Sequence, residues 1–290
     1  MSHFTVMVVT DEKPTEEILK KALQPYHEYE CTGIKDEYVR FVQAKETPED
    51  LQQEHTSHLQ KYPDSTPESL DVFITEWYGY EKKDGQWGRM TNPDSKWDWW
   101  QVGGRWTGFY ELKEGAKGEV GEPSLVSMMV NGVPDRGYRV DQARKCDIDF
   151  EKMISEKAKE AKKLFERAEN VMAGRKFQTW EEVRNSIPDI NEARKFYHEQ
   201  EAIKDLKKEF DSPFFNCDEF IQTKEEYVYN EGIAKISSFA VLIDGKWLEK
   251  GEMGWWASVS NENKSWAADY QKILDNVKPE QWLSIVDCHI

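Results

Sequence analysis

The residues of this chain best suited to chemistry fall in one short stretch. Residues 96–110 read KWDWWQVGGRWTGFY, placing Trp97, Trp99, Trp100 and Trp106 around Asp98, Gly103, Gly104 and Arg105. Indole rings stack on planar groups, and a guanidinium beside a carboxylate clamps an anion. The segment therefore reads as an aromatic pocket for a nucleotide or another planar anion. In an extended chain Trp97 and Trp99 share one face, with Asp98 and Trp100 on the other. The glycine pair lets the backbone turn, or lets something approach it closely. The competing reading of the same residues is a Trp-rich core with one structural Asp98–Arg105 ion pair. GGR is not a phosphate loop, because no GxxxxGK[ST] occurs. Residues 251–260, GEMGWWASVS, offer Trp255 and Trp256 as a second aromatic candidate.

A nucleophilic reading rests on Cys288 and His289 at the end of the chain. Neighbours in a strand point to opposite faces, so a Cys–His dyad needs a distant histidine, such as His3 on an adjacent strand. A buried cysteine that acts as a small hydrophobe is the plainer reading. His55 and His58 have the i, i+3 spacing of a zinc pair, but HxxH alone is a weak signal and the two read as surface histidines. The acidic pairs Asp147/Asp149 and Glu225/Glu226 have no metal-site pattern around them. No HExxH or GxSxG occurs, so no metal, no cofactor and no catalytic residue is assigned, and the chain reads as non-enzymatic.

The elements that must hold these residues are legible in outline. Residues 4–10, 37–43, 71–80, 105–112, 124–130, 235–243 and 282–288 have strand character, and Asp244-Gly245 marks a hairpin. Helices are expected from Pro14, from Thr47-Pro48, over 150–172, from the TWEE capping pattern at Thr179, over 189–210 and over 262–277. The fold class is α+β. A mixed or antiparallel sheet is built from both termini, with a Trp-rich β-meander. Residues 1–149 and 212–290 form one α+β domain, and residues 150–211 form a helical insertion or arm.

Aromatic residues make up 13% of the 290 residues, which supplies a core despite 32% charged residues. The formal charge of −16 is uneven. Residues 1–76 hold 7 basic and 16 acidic side chains, and residues 212–290 hold 7 and 13. Such a surface repels the phosphate backbone, so direct nucleic-acid binding is not expected. The four dispersed cysteines and the absence of a signal-peptide pattern or a spanning apolar run imply a cytoplasmic protein with free thiols and no membrane contact.

Trp97–Trp106, Asp141–Arg144 with Asp147–Asp149, Gly254-Trp255-Trp256 and the terminal Val286-Asp287-Cys288-His289-Ile290 together resemble a family of uncharacterised proteins found largely in bacteriophages and mobile elements. The resemblance covers roughly half the chain and carries no catalytic residues over. It implies a setting: acidic phage proteins without enzyme motifs are similar in kind to inhibitors of host antiviral defence. On that footing the expected partner is a host protein complex, bound by a homo-oligomer in the host cytoplasm. The alternatives are a nucleotide sponge using the Trp/Arg pocket and an enzyme built on Cys288, His289 and His3.

Overall fold

A computed structural model describes residues 2–124, 139–212, 215–254 and 258–290. In chain order the elements are β1 (His3–Thr10), α1 (Glu16–Leu23), α2 (Tyr29–Thr32), β2 (Arg40–Gln43), α3 (Pro48–Lys61), α4 (Leu70–Tyr78), β3 (Glu81–Lys83), β4 (Gln86–Thr91), β5 (Trp99–Gly104), β6 (Tyr110–Glu111), β7 (Glu122–Pro123), β8 (Arg139–Val140) and β9 (Gln142–Arg144). There follow α5 (Phe150–Met172), α6 (Trp180–Ser186), α7 (Ile190–Glu199), α8 (Glu201–Glu209), α9 (Lys224–Ala234), β10 (Ala240–Ile243), β11 (Lys246–Glu249), β12 (Glu252–Met253), β13 (Val259–Ser260), α10 (Trp266–Asn276) and β14 (Trp282–His289).

The two ends of the chain meet in one mixed sheet of order β11-β10-β1-β14-β5-β7, with β9 also on β14. β1 and β14 pair antiparallel along their whole length, from His3 opposite His289 to Thr10 opposite Trp282. Both strands read as near-continuous apolar runs because both faces of the sheet are covered. Phe4, Val6, Val8, Val286 and Cys288 pack on one face against Leu19 and Leu23 of α1 and against Trp97. Met7, Leu283 and Ile285 pack on the other against Trp266, Tyr270 and Leu274 of α10.

The helical block has a core of its own. Phe165 of α5, Val183 of α6, Tyr197 of α7, Ile203 and Leu206 of α8, Phe220 in the turn ahead of α9 and Tyr227 of α9 close around it. α5 ties this block to the sheet, since Met153 in its first turns lies in the sheet's core. Thr179 and Glu182 complete the expected capping box of α6. A further small core, Leu51, Phe73 and Ile74, lies under the α3–α4 pair beside the separate β2-β4-β3 sheet.

Several expected elements differ. Most of residues 71–80, up to Tyr78, lie in helix α4 rather than a strand. Ser69 caps its first turn, Phe73 and Ile74 turn inward, and Gly79 ends it in the left-handed conformation at φ 65°. The β-branched and aromatic content of DVFITEWY suggested a strand, but burial at helical spacing decides the outcome. Residues 105–112 are not one strand. β5 lies upstream, and the chain turns at Arg105–Gly108, where the Trp106 N–H donates to the Gly103 carbonyl at 2.9 Å. Residues 189–210 are two helices, α7 and α8, parted at Gln200, whose ψ of 128° is extended. The strand expected over 235–243 is confined to Ala240–Ile243. The strand expected over 124–130 lies outside the described residues beyond Ser124.

Candidate functional site

The Trp97–Trp106 segment sends its tryptophans three ways. Trp97 is 5% exposed, and its Nε1–H donates to the Leu23 carbonyl at 3.0 Å. Trp100 packs at the edge of the same core, on the α1 face of the sheet. Trp99 lies on the other face, 45% exposed, with its ring edge-on to His3 at 6.1 Å. Trp106 belongs to the core beneath α10. The expected pairing of Trp97 with Trp99 is thus replaced by Trp97 with Trp100. The reason is that strand alternation begins only at Trp99. Trp97 is still held in a bridge to His27, and Asp98 turns the backbone by donating its N–H to the His289 carbonyl at 3.0 Å.

The anion clamp does not form between Asp98 and Arg105. The Asp98 carboxylate accepts from His289 Nδ1 at 2.6 Å. Arg105 meets a different acid through its backbone, whose N–H donates to Asp287 Oδ2 at 2.9 Å. Asp287 has no exposed surface, and its Oδ1 lies 2.8 Å from His3 Nδ1. Asp141 is also fully buried, and it accepts backbone N–H groups from Gly108 at 2.6 Å and Gly121 at 2.7 Å. The two glycines answer to these two acids. Both take positive φ, 79° at Gly103 and 53° at Gly104. A Cβ on Gly103 would stand 2.7 Å from Asp141 Oδ2, and one on Gly104 would collide with the Asp287 side chain. The closely approaching group is therefore the protein's own carboxylate rather than a ligand.

Cys288 is separated from both histidines. Its cross-strand neighbour is Phe4, and its thiol lies in the α1-side core. His3 and His289 oppose one another on the other face, with ring centroids 4.9 Å apart. Burial, helped by the charges of Asp287 and Asp98, pushes the Cys288 thiol well above the usual range. A thiol kept protonated and facing away from His3 and His289 is not their nucleophile. The Cys–His reading is corrected on that geometry. Trp255 and Trp256 lie outside the described residues. The flanking Gly254 is tied to the N-terminal strand, its carbonyl accepting from Ser2 Oγ at 2.7 Å.

A groove of about 580 Å³ runs between the first turns of α1 and strand β5, next to the edge strand β7. Pro14, Leu19, Trp97, Trp100 and Val102 form its apolar lining, and Glu16, Lys20, Asp98 and Glu122 its charged one. Nearby, burial raises the Glu28 carboxyl against a hydrogen bond with Cys31, and the charges of Glu30 and Asp98 add to the rise. The volume suits a small ligand, but the carboxylates disfavour a phosphate.

The sequence pattern did not single out the other aromatic surface, on α3 and α4. Trp77 is 61% exposed and Tyr62 46%. Trp77 stacks on Phe73 at 6.0 Å and meets the His58 ring at 4.5 Å. Together with Lys61, Tyr62 and Glu54 they border a hollow of about 620 Å³. His55, expected at the surface, is buried. Its Nε2 lies 2.7 Å from the Pro67 carbonyl, and its ring lies against Phe73 at 4.9 Å. The HxxH pair is thereby split between a core contact and a surface aromatic cluster. The signal that could have found this surface was the acidity of residues 44–80. They carry eight carboxylates against Lys45 and Lys61.

Among the described residues, no group of three or more His, Cys, Asp or Glu side chains is placed to hold a metal ion. Glu225 and Glu226 are first-turn acids of α9, where Glu226 completes a capping box with Thr223. Asp147 pairs with Arg144 at 2.8 Å, and Asp149 caps α5. No described helix is long and apolar enough to cross a membrane. No family profile, no curated protein and no solved structure matches the chain.

Proposed function

We propose that the chain is a non-enzymatic binding protein that docks a basic surface of a protein partner on its α3–α4 face. In the phage-type setting implied by the sequence resemblance, that partner is a component of a host antiviral defence complex. The observation that carries the reading is Trp77, an indole held out to solvent by stacking on a buried Phe73, in a segment with eight carboxylates and two lysines. Exposed, pre-positioned tryptophan is the side chain that most often anchors an interface, and a field of one sign selects and steers a partner of the other. Arginine on the partner satisfies both, stacking on the indole while its charge meets the acids.

The nucleotide sponge is the second reading, because the α1–β5 groove has the right size and three tryptophans at or near its wall. Glu16, Asp98 and Glu122 against Lys20 count against it. Capture from host lysate by the tagged chain, run beside Trp77→Ala, separates the two. The expected result is one host protein held in fixed ratio by the wild type, lost in Trp77→Ala and released by salt. Equal capture by both chains overturns the α3–α4 reading. A nucleotide released from the purified chain on denaturation, with no protein held, moves the function to the groove.

A further inference from the structure

The ends of β1 and β14 hold a second arrangement, on the opposite side of the sheet from Cys288. Ser2 and Ile290 exchange both backbone hydrogen bonds, at 3.1 and 3.0 Å. His3 and His289 are the next opposed residues, so they form a non-hydrogen-bonded pair, the position at which cross-strand side chains come closest. Their ring centroids are 4.9 Å apart, at an interplanar angle of 72°. Each Nδ1 rests on its own carboxylate, Asp287 at 2.8 Å and Asp98 at 2.6 Å. Neither Nε2 has a hydrogen-bond partner among the described residues, and neither is sealed from solvent.

A carboxylate on Nδ1 holds the proton there and leaves the Nε2 lone pair free to ligate. Proteins prepare histidines for metal ligation in this way. Two neutral imidazoles suit the borderline divalent ions, Zn²⁺, Ni²⁺ and Cu²⁺, and not Mg²⁺ or Ca²⁺. We propose that His3 and His289 form a two-imidazole site for a borderline divalent transition-metal ion, oriented by Asp287 and Asp98. Two protein ligands leave the other coordination positions to water or to a group brought by a partner. The site is therefore an exchangeable one, unlike the closed four-ligand sites of structural zinc. Its wall is Trp99, the one tryptophan of the Trp97–Trp100 run that faces the histidines. The inference stands apart from the α3–α4 reading, which needs neither histidine.

The test is calorimetric titration of the full chain with Zn²⁺ alone, beside His3→Gln, His289→Gln and Asp98→Asn. One ion per wild-type chain is expected. Each histidine variant should weaken binding at least tenfold, and Asp98→Asn should weaken it about 10–100-fold, the range for loss of an orienting partner. No saturable binding to the wild type overturns the proposal, as does a histidine variant that binds as tightly as the wild type. Circular dichroism checks that each variant is folded. Should one fail that check, Cu²⁺ quenching of tryptophan fluorescence decides instead. Saturable quenching that Trp99→Phe abolishes places the ion at the pair, and quenching unchanged in Trp99→Phe removes it from there.

Discussion

Two aromatic regions of this chain use the same residue types to opposite ends. In the Trp97–Trp106 region, tryptophan density is high and exposure, Trp99 apart, is low: Trp97 gives its ring to the core and its N–H to Leu23. The acids there serve the protein itself, Asp141 and Asp287 accepting from backbone N–H groups and filling the space beside Gly103 and Gly104. In the α3–α4 region tryptophan is sparse, yet Trp77 stands out in solvent, and among the described residues only Glu46, Asp50, Glu54 and Asp71 of the eight acids engage other side chains. Crowding of tryptophans in sequence thus signals a packing solution, and an isolated one on a short helix can be the more available. The difference lies in what backs each ring. Trp97 is 5% exposed, whereas Trp77 rests on Phe73 and His58 and leaves 61% of its surface to solvent.

The sharpest way to break this comparison is to truncate both rings. Trp97→Ala is expected to cost about 3–5 kcal/mol in urea unfolding, as removal of a core aromatic does. Gly104→Ala should cost about 3 kcal/mol or more, since it adds a Cβ against Asp287 at a left-handed φ. A Gly104→Ala protein of native stability would show that the close approach to Asp287 is not a constraint.

A mid-sized effect is expected at Glu111, buried between β6 and α5 with Arg139 at 2.7 Å and Lys152 at 3.0 Å. Burial alone would raise its carboxyl, but those two cations prevail and hold it below the usual range. Its folded value lies below the unfolded one near 4.3, so its stabilisation is present at neutral pH and fades as pH falls through the folded value. Glu111→Gln should cost about 1–3 kcal/mol at pH 7, and the gap from wild type should close in acid. Both cations are 39% exposed and can turn to water, which keeps the loss below that of a sealed pair.

Trp77→Ala should change stability by less than about 1 kcal/mol while abolishing partner capture. A large stability loss there would make Trp77 another core residue and erase the contrast. The smallest perturbation is chemical. Cys31 and Cys146 are exposed, and Cys217 and Cys288 are buried, so a disulfide thiol reagent should titrate two thiols in the native chain and four after denaturation. Burial also pushes the Cys217 thiol up to about 11, which slows it further.

Much of the scaffold was readable because its signals are local. Thr47 and Thr179 sit before helices with an acid three residues on, and both form complete capping boxes. Asp244 and Gly245 take the two left-handed conformations of a tight hairpin, φ 51° and 70°. The terminal strands were legible from their apolar runs, which only a sheet covered on both faces can bury. The start of α9 is less legible, because the apolar spacing behind Thr223 and Glu226 is weak although the two repeat the capping pattern. In α4 the composition favours a strand while the burial follows a helix.

By itself, the sequence determined the α+β class, the union of the two chain ends in one sheet and the starts of α3, α5 and α6. Those features rest on hydrogen bonds and periodicities spanning only a few residues, or on the need of long apolar strands for cover. Only the tertiary structure decided what the reactive residues face. A shift of one position in a strand exchanges the two sides of the sheet. Cys288 and His289, adjacent in sequence, are thus parted by the sheet, while His3 and His289, at opposite ends of the chain, are brought ring to ring.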